Sequence, residues 1–217
     1  MEGVGWAAVG LGAALAALYG ARFCLAGPSP AKTLVKTASV LALAIAALAF
    51  GAPTAVTAGL FLGAAGDFFL SRKGDRAFLV GMAAFAAGHL AYFWAFLAAG
   101  AGMAPFWLLL PLLALGASTE VWLAPHTGAL RWPVRGYVVV ILLMAAAALG
   151  LPAAPDLGLA QAGAALFVLS DLILALDLFR FGADRPHRGR ARLLWAAYWC
   201  GQALILAGLA GWAARVV

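Results

Sequence analysis

Leu157-Gly158-Leu159-Ala160-Gln161-Ala162-Gly163-Ala164-Ala165-Leu166-Phe167-Val168-Leu169-Ser170-Asp171-Leu172-Ile173-Leu174-Ala175-Leu176 is an apolar run with a single ionisable side chain, Asp171. A helix of about 20 such residues spans the hydrocarbon core of a bilayer. A second run of the same kind, Gly59-Leu60-Phe61-Leu62-Gly63-Ala64-Ala65-Gly66-Asp67-Phe68-Phe69-Leu70, also carries one acid near its end. A carboxylate at the centre of a membrane helix costs roughly 2.5–3.5 kcal/mol on insertion scales, and less near the ends. Two such residues in a chain otherwise sparing of charge mark the first place to look for function.

The rest of the chain extends this pattern. Hydrophobic residues make up 66% and charged residues 10% of the 217, whereas soluble domains are about a quarter charged. The apolar runs predict eight membrane helices, about 4–21, 33–50, 54–70, 77–98, 104–123, 136–151, 157–178 and 193–213. Connections are short, so residues 1–217 are expected to form one all-α transmembrane bundle.

Net charge is +6, but its placement speaks for topology rather than for nucleic acid. Arg22, Lys32, Arg72, Lys73, Arg76, Arg131, Arg135, Arg180, Arg185, Arg188, Arg190 and Arg192 all fall in alternate loops on one face. The opposite loops carry no Lys or Arg, and only Arg215 breaks the pattern. The positive-inside rule then predicts a cytoplasmic basic face and both termini outside. A multi-pass protein of a bacterial inner (cytoplasmic) membrane is expected. No nucleic-acid partner is needed, and no feature specifies an oligomeric state.

Several chemistries find no footing. Cys24 and Cys200 are the only cysteines and are far apart in sequence, which gives neither a disulfide framework nor a zinc spacing. No His-x-x-x-His pair occurs on any helix and no Gly-x-Ser-x-Gly elbow is present. No metal or other cofactor is expected. The N-terminus lacks the basic start of a cleavable signal.

Counting about 1.5 Å per residue puts Asp67 roughly 5 Å and Asp171 about 10 Å from the basic side. Lys36 and Glu120 lie one turn in from that side, His89 and Tyr92 near mid-membrane, and Tyr198 and Gln202 in the basic half. This shared depth predicts one polar cavity. The bland alternatives are snorkelling for Lys36 and Glu120, packing for His89 and the tyrosines, and a helix-end pair for Asp177 with Arg180. Asp67 and Asp171 recur 104 residues apart, each followed by a basic loop and an aromatic-rich helix. The spacing suggests a four-plus-four duplication whose halves share orientation. Gly59-x-x-x-Gly63 reads as a close helix contact.

Three motifs in order resemble the YhhN-like lysoplasmalogenase family. They are Gly63-Ala64-Ala65-Gly66-Asp67-Phe68-Phe69-Leu70, Phe85-Ala86-Ala87-Gly88-His89-Leu90-Ala91-Tyr92 and Gly163-Ala164-Ala165-Leu166-Phe167-Val168-Leu169-Ser170-Asp171. Tyr198-Trp199-Cys200-Gly201-Gln202 is similar to that family's closing helix. Lys36 falls near its second-helix lysine, although the family's Lys-Pro is here Lys36-Thr37. The resemblance covers roughly residues 30–205. It implies an intramembrane hydrolase that cleaves the vinyl ether of lysoplasmalogens to a fatty aldehyde and glycerophospho-ethanolamine or -choline.

On that reading Asp67 and Asp171 are the acid/base pair. Lys36, His89, Tyr92, Tyr198, Gln202, Glu120 and Ser170 orient a carboxylate, water or substrate. The expected partners are a lysophospholipid or ether-lipid substrate and the surrounding membrane lipids. Intramembrane carboxylates suit two other classes as well: a proton-coupled transporter, or a lipid-binding protein without catalysis.

Overall fold

In the computed structural model, residues 1–182 and 187–216 are described; Arg185 lies outside them. Eight α-helices follow in chain order: α1 (Glu2–Leu18), α2 (Pro30–Ala49), α3 (Thr54–Leu70), α4 (Asp75–Ala98), α5 (Phe106–Trp122), α6 (Arg131–Leu149), α7 (Pro155–Leu176) and α8 (Arg188–Val216). Short π-helical turns, Tyr19–Phe23 and Asp177–Phe181, prolong α1 and α7. Among the described residues, seven helices are long and apolar enough to cross a membrane, and α3 is an apolar helix of 17 residues. That length sits at the lower limit for spanning. The protein is an all-α, multi-pass membrane bundle.

Helix boundaries follow local chemistry. The Ser29 side chain accepts from the Lys32 N–H at 3.1 Å and Pro30 occupies the first turn of α2, where its missing donor costs nothing. Gly51 and Gly100, just past α2 and α4, adopt φ of +67° and +90°, the left-handed stop that glycine makes without strain. Two helices, α6 and α8, begin five residues earlier than hydropathy predicts. α6 starts at Arg131 because Pro133 falls in its first turn, among N–H groups that have no intrahelical partner anyway. α8 starts at Arg188, its first turns being basic rather than apolar. α5 continues through Pro111.

Two close helix pairs, α3 with α4 and α7 with α8, form the centre. An added Cβ at Gly163 of α7 would lie 2.7 Å from the Gly201 carbonyl of α8, and one at Gly208 would lie 2.6 Å from the Asp156 carbonyl. Small residues let these backbones touch, the packing that stabilises helices in lipid. Trp195 and Trp199 of α8 donate their indole N–H to the carbonyls of Ala16 (2.9 Å) and Ser39 (3.3 Å), tying α8 to α1 and α2. α5 is the exception: none of its residues is buried.

Gly59-x-x-x-Gly63 makes the close helix contact its spacing suggests, since a Cβ at Gly88 of α4 would lie 3.3 Å from the Gly59 carbonyl, and the glycines of α3 do something more. A Cβ at Gly59 would stand 2.5 Å from the Tyr92 ring, one at Gly63 2.5 Å from Gln202 Nε2, and one at Gly66 2.6 Å from the Phe85 ring. These positions are seats for large side chains from α4 and α8. Asp67, His89 and Gln202, like Ser39 of α2, are fully buried polar residues, and Gln202 stands directly over Gly63.

A paired-carboxylate candidate active site

Asp67 projects from the last turn of α3 and is completely buried. Lys36 Nζ, from α2, lies 2.9 Å from its Oδ1, and the Tyr198 hydroxyl of α8 donates to Oδ2 at 2.9 Å. The Tyr198 oxygen in turn accepts from Gln202 Nε2 at 3.2 Å, and Tyr92 of α4 donates to Gln202 Oε1. The carboxylate is therefore neutralised by one cation and braced by a string of neutral donors.

Asp171 sits in α7, its side chain 11% exposed. His89 Nε2, from α4, is 3.1 Å from Oδ2, and the Tyr137 hydroxyl of α6 donates to the same oxygen at 3.4 Å. The other ring nitrogen of His89, Nδ1, is 2.7 Å from the Phe85 carbonyl. A carbonyl only accepts, so Nδ1 carries a hydrogen. Nε2, on the other side of the ring, lies close to the Asp171 carboxylate but makes no aligned hydrogen bond to it.

The two clusters are adjacent and share a cavity. Phe167 touches His89 (ring centroids 4.5 Å apart), Tyr198 (5.4 Å) and Tyr92 (6.3 Å), and Phe85 packs edge-on against Tyr198. A cavity of about 670 Å3, including its open mouth, is bordered by Lys36, Asp67, Ser170, Asp171 and Tyr198, with Trp195 and leucines completing the wall. Its lining comes from the ends of α2, α3, α4, α7 and α8 that adjoin the basic loops.

Other residues singled out in the sequence are placed as follows. Ser170 borders the cavity, but its hydroxyl donates to the Phe167 carbonyl at 2.7 Å. Glu120 is not brought to it. It forms a two-point pair with Arg135 at the surface of α5 and α6, with Nε–Oε1 at 2.8 Å. Asp177 pairs with Arg190 at 2.6 Å rather than with Arg180, which donates to His126. The wider i→i+5 turn after Leu176 takes Arg180 off the Asp177 face. Tyr137 is the site residue that depth counting passed over. It lies two turns into α6 from the basic side, the same signal that drew attention to Tyr198.

The family model described as the YhhN family matches residues 31–209. The chain belongs to the YhhN family. Its relatives include the bovine (Bos taurus) lysoplasmalogenase TMEM86A, 34% identical over 196 residues that cover 82% of this chain and 78% of the relative. The pig (Sus scrofa) lysoplasmalogenase TMEM86B is 36% identical over 190 residues, 82% of this chain and 75% of the relative. No solved structure matches this YhhN-family chain. The matched region includes every residue of both carboxylate clusters.

Proposed function

We propose that this YhhN-family protein is an intramembrane hydrolase that cleaves the vinyl ether bond of a lysoplasmalogen or a closely related single-chain ether lipid. The observation that carries this reading is the shared cavity, onto which two differently equipped carboxylates open. The named activity of the bovine and pig relatives points the same way.

A vinyl ether is hydrolysed by a proton added to its β-carbon. The C=C electron pair takes that proton, leaving an oxocarbenium ion that water attacks. The resulting hemiacetal breaks its bond to the glycerol oxygen, releasing fatty aldehyde and glycerophospho-alcohol. Acid–base assistance of this kind is typically worth 10²–10⁴-fold.

The His89–Asp171 pair is the proton source on this reading, an imidazole nitrogen 3.1 Å from a carboxyl group at the cavity wall. Once the pair has given it up, Asp171 accepts one from the attacking water and passes it to the leaving glycerol oxygen, and the hemiacetal hydroxyl proton released as the C=O forms returns to the pair. The Asp67–Lys36 pair, braced by Tyr198, supplies a fixed dipole whose carboxyl end faces the oxocarbenium ion. Preorganised charge in a water-poor site acts strongly because little screens it.

Two further features belong to this proposal. The basic loops are cytoplasmic and both termini are outside, so the cavity mouth faces the cytoplasmic leaflet. The partner exchange between halves supports the four-plus-four duplication: each carboxylate takes one partner from the preceding helix of its own half, Lys36 or Tyr137, and one from the last helix of the other half, Tyr198 or His89.

The test is purified protein given lysoplasmalogen, with aldehyde release measured. Activity is expected in the wild type and its loss in Asp171→Asn and in Asp67→Asn. Full turnover in both variants would sink the assignment.

A further inference from the structure

Beside the polar cavity lies a second space of about 840 Å3, counted with its open side, between α4, α5, α6 and α7. The two spaces share part of their walls, including Phe78, Phe85, Leu174 and Asp171. Asp171 therefore stands at their junction, with one carboxyl group reached from both.

The chamber is hydrocarbon nearly throughout. Its potentially polar members on α5 are occupied locally: Thr119 donates to the Gly116 carbonyl at 2.6 Å, and Trp122 Nε1 donates to Ser118 Oγ at 3.0 Å. Polarity is left only at Asp171 and Tyr137, part-way along the walls. The α5 wall runs from Leu115 to Leu123 and the α6 wall from Val134 to Leu142, about 12 Å along each helix. At the deep end Gly116 comes so near Leu142 that a Cβ would collide with it. The outer wall is α5, which buries no residue and so faces lipid along its length.

We infer that this chamber is the binding site for the single hydrocarbon chain of the lipid substrate, entered sideways past α5, with the cleavable linkage delivered to Asp171. The polar cavity alone would leave the chain with nowhere to go. A space that is apolar along its walls and carries one carboxyl group among them matches a molecule with a long hydrocarbon chain and one polar linkage. The identity of the linkage rests on the hydrolase reading; occupancy of the chamber by a chain does not.

The experiment uses full-length protein in nanodiscs and a non-cleavable saturated alkyl lysophospholipid with a photoreactive diazirine near the end of its chain. Adducts are expected on Leu115–Leu123 and Val138–Leu142. Unlabelled single-chain ether lipid should reduce them, and a two-chain lipid with the same headgroup should not. Leu142→Trp, which fills the deep end, should lower the yield by about tenfold, the smaller end of what overpacking costs. If that variant does not fold, the wild-type competition decides. Adducts spread over the lipid-facing residues of α1 to α4, or equal competition by both lipids, would overturn the inference. Since labelling needs no turnover, adducts in the chamber without aldehyde release would count against the hydrolase reading alone.

Discussion

His89 offers Asp171 its Nε2 at 3.1 Å while Nδ1 is held 2.7 Å from the Phe85 carbonyl. The ring is thereby fixed in orientation and in tautomer, as a general acid–base partner must be. Replacement by Gln keeps a polar side chain but removes the exchangeable ring proton. His89→Gln is expected to lower kcat for aldehyde release by 10²–10⁴-fold, the typical worth of such assistance, with little change in melting temperature. A loss of activity that tracks unfolding would instead assign His89 to packing.

Lys36 and Asp67 form an ion pair inside the bundle. Removing one partner from a buried pair leaves an uncompensated charge, which costs about 3–5 kcal/mol, whereas replacing both by neutral groups costs far less. Asp67→Asn is therefore expected to melt well below the wild type, and Lys36→Met/Asp67→Asn to recover much of that loss. Activity should return in neither. Thermal unfolding in detergent alongside aldehyde release separates the two effects.

Gly63 faces Gln202 Nε2 at a distance that leaves no room for a methyl group, whereas an added Cβ at Gly10 meets nothing within 4 Å. Gly63→Ala should displace Gln202, loosen Tyr198 from Asp67 and cost about 1–3 kcal/mol by overpacking. Gly10→Ala should leave both stability and turnover unchanged. Equal behaviour of the two variants would remove the seating role given to Gly63.

Cys24 lies in the connection after α1, its thiol directed at the Ala191 carbonyl. Burial pushes that thiol above the ordinary cysteine range, against the opposing pull of Lys32, Lys36 and Arg192. A raised value means fewer thiolates at neutral pH and a labelling rate that climbs only as pH rises past the usual thiol range. In a Cys200→Ser background, maleimide labelling should be slower at pH 7 than that of a free thiol and should accelerate up to higher pH. A plateau at or below the ordinary range contradicts this.

Membrane helices are the most legible elements in such a sequence, because length and apolarity are direct consequences of the bilayer. All eight runs correspond to helices, and the shifts at α6 and α8 arise where Pro133 and the leading arginines hide a helical start from hydropathy. The carboxylates were legible for the same reason: Asp67 and Asp171 stand out energetically against Leu, Ala and Phe.

Pairing was harder to read. Depth along the membrane placed Lys36, Asp67, Tyr198 and Asp171 at similar levels, but depth says nothing about direction around a helix. Glu120 shares that depth and points elsewhere, toward Arg135. Tyr137 shares it and points inward. The role of Gly63 was hidden for a related reason, since a glycine beside a helix and a glycine beneath a side chain look identical in sequence.

Along the string that ends at Asp67, every donor points the same way: Tyr92 to Gln202 Oε1, Gln202 Nε2 to Tyr198, Tyr198 to the carboxylate. The middle link is an amide. A hydroxyl or imidazole can take a proton on one side and release it on the other, but a carboxamide N–H does not exchange roles in this way. Gln202 is thus an insulator set into what would otherwise be a proton wire toward the far side of the membrane. On the proposed hydrolase reading, this leaves the cavity mouth as the route for protons used at the carboxylates, which suits chemistry at one leaflet.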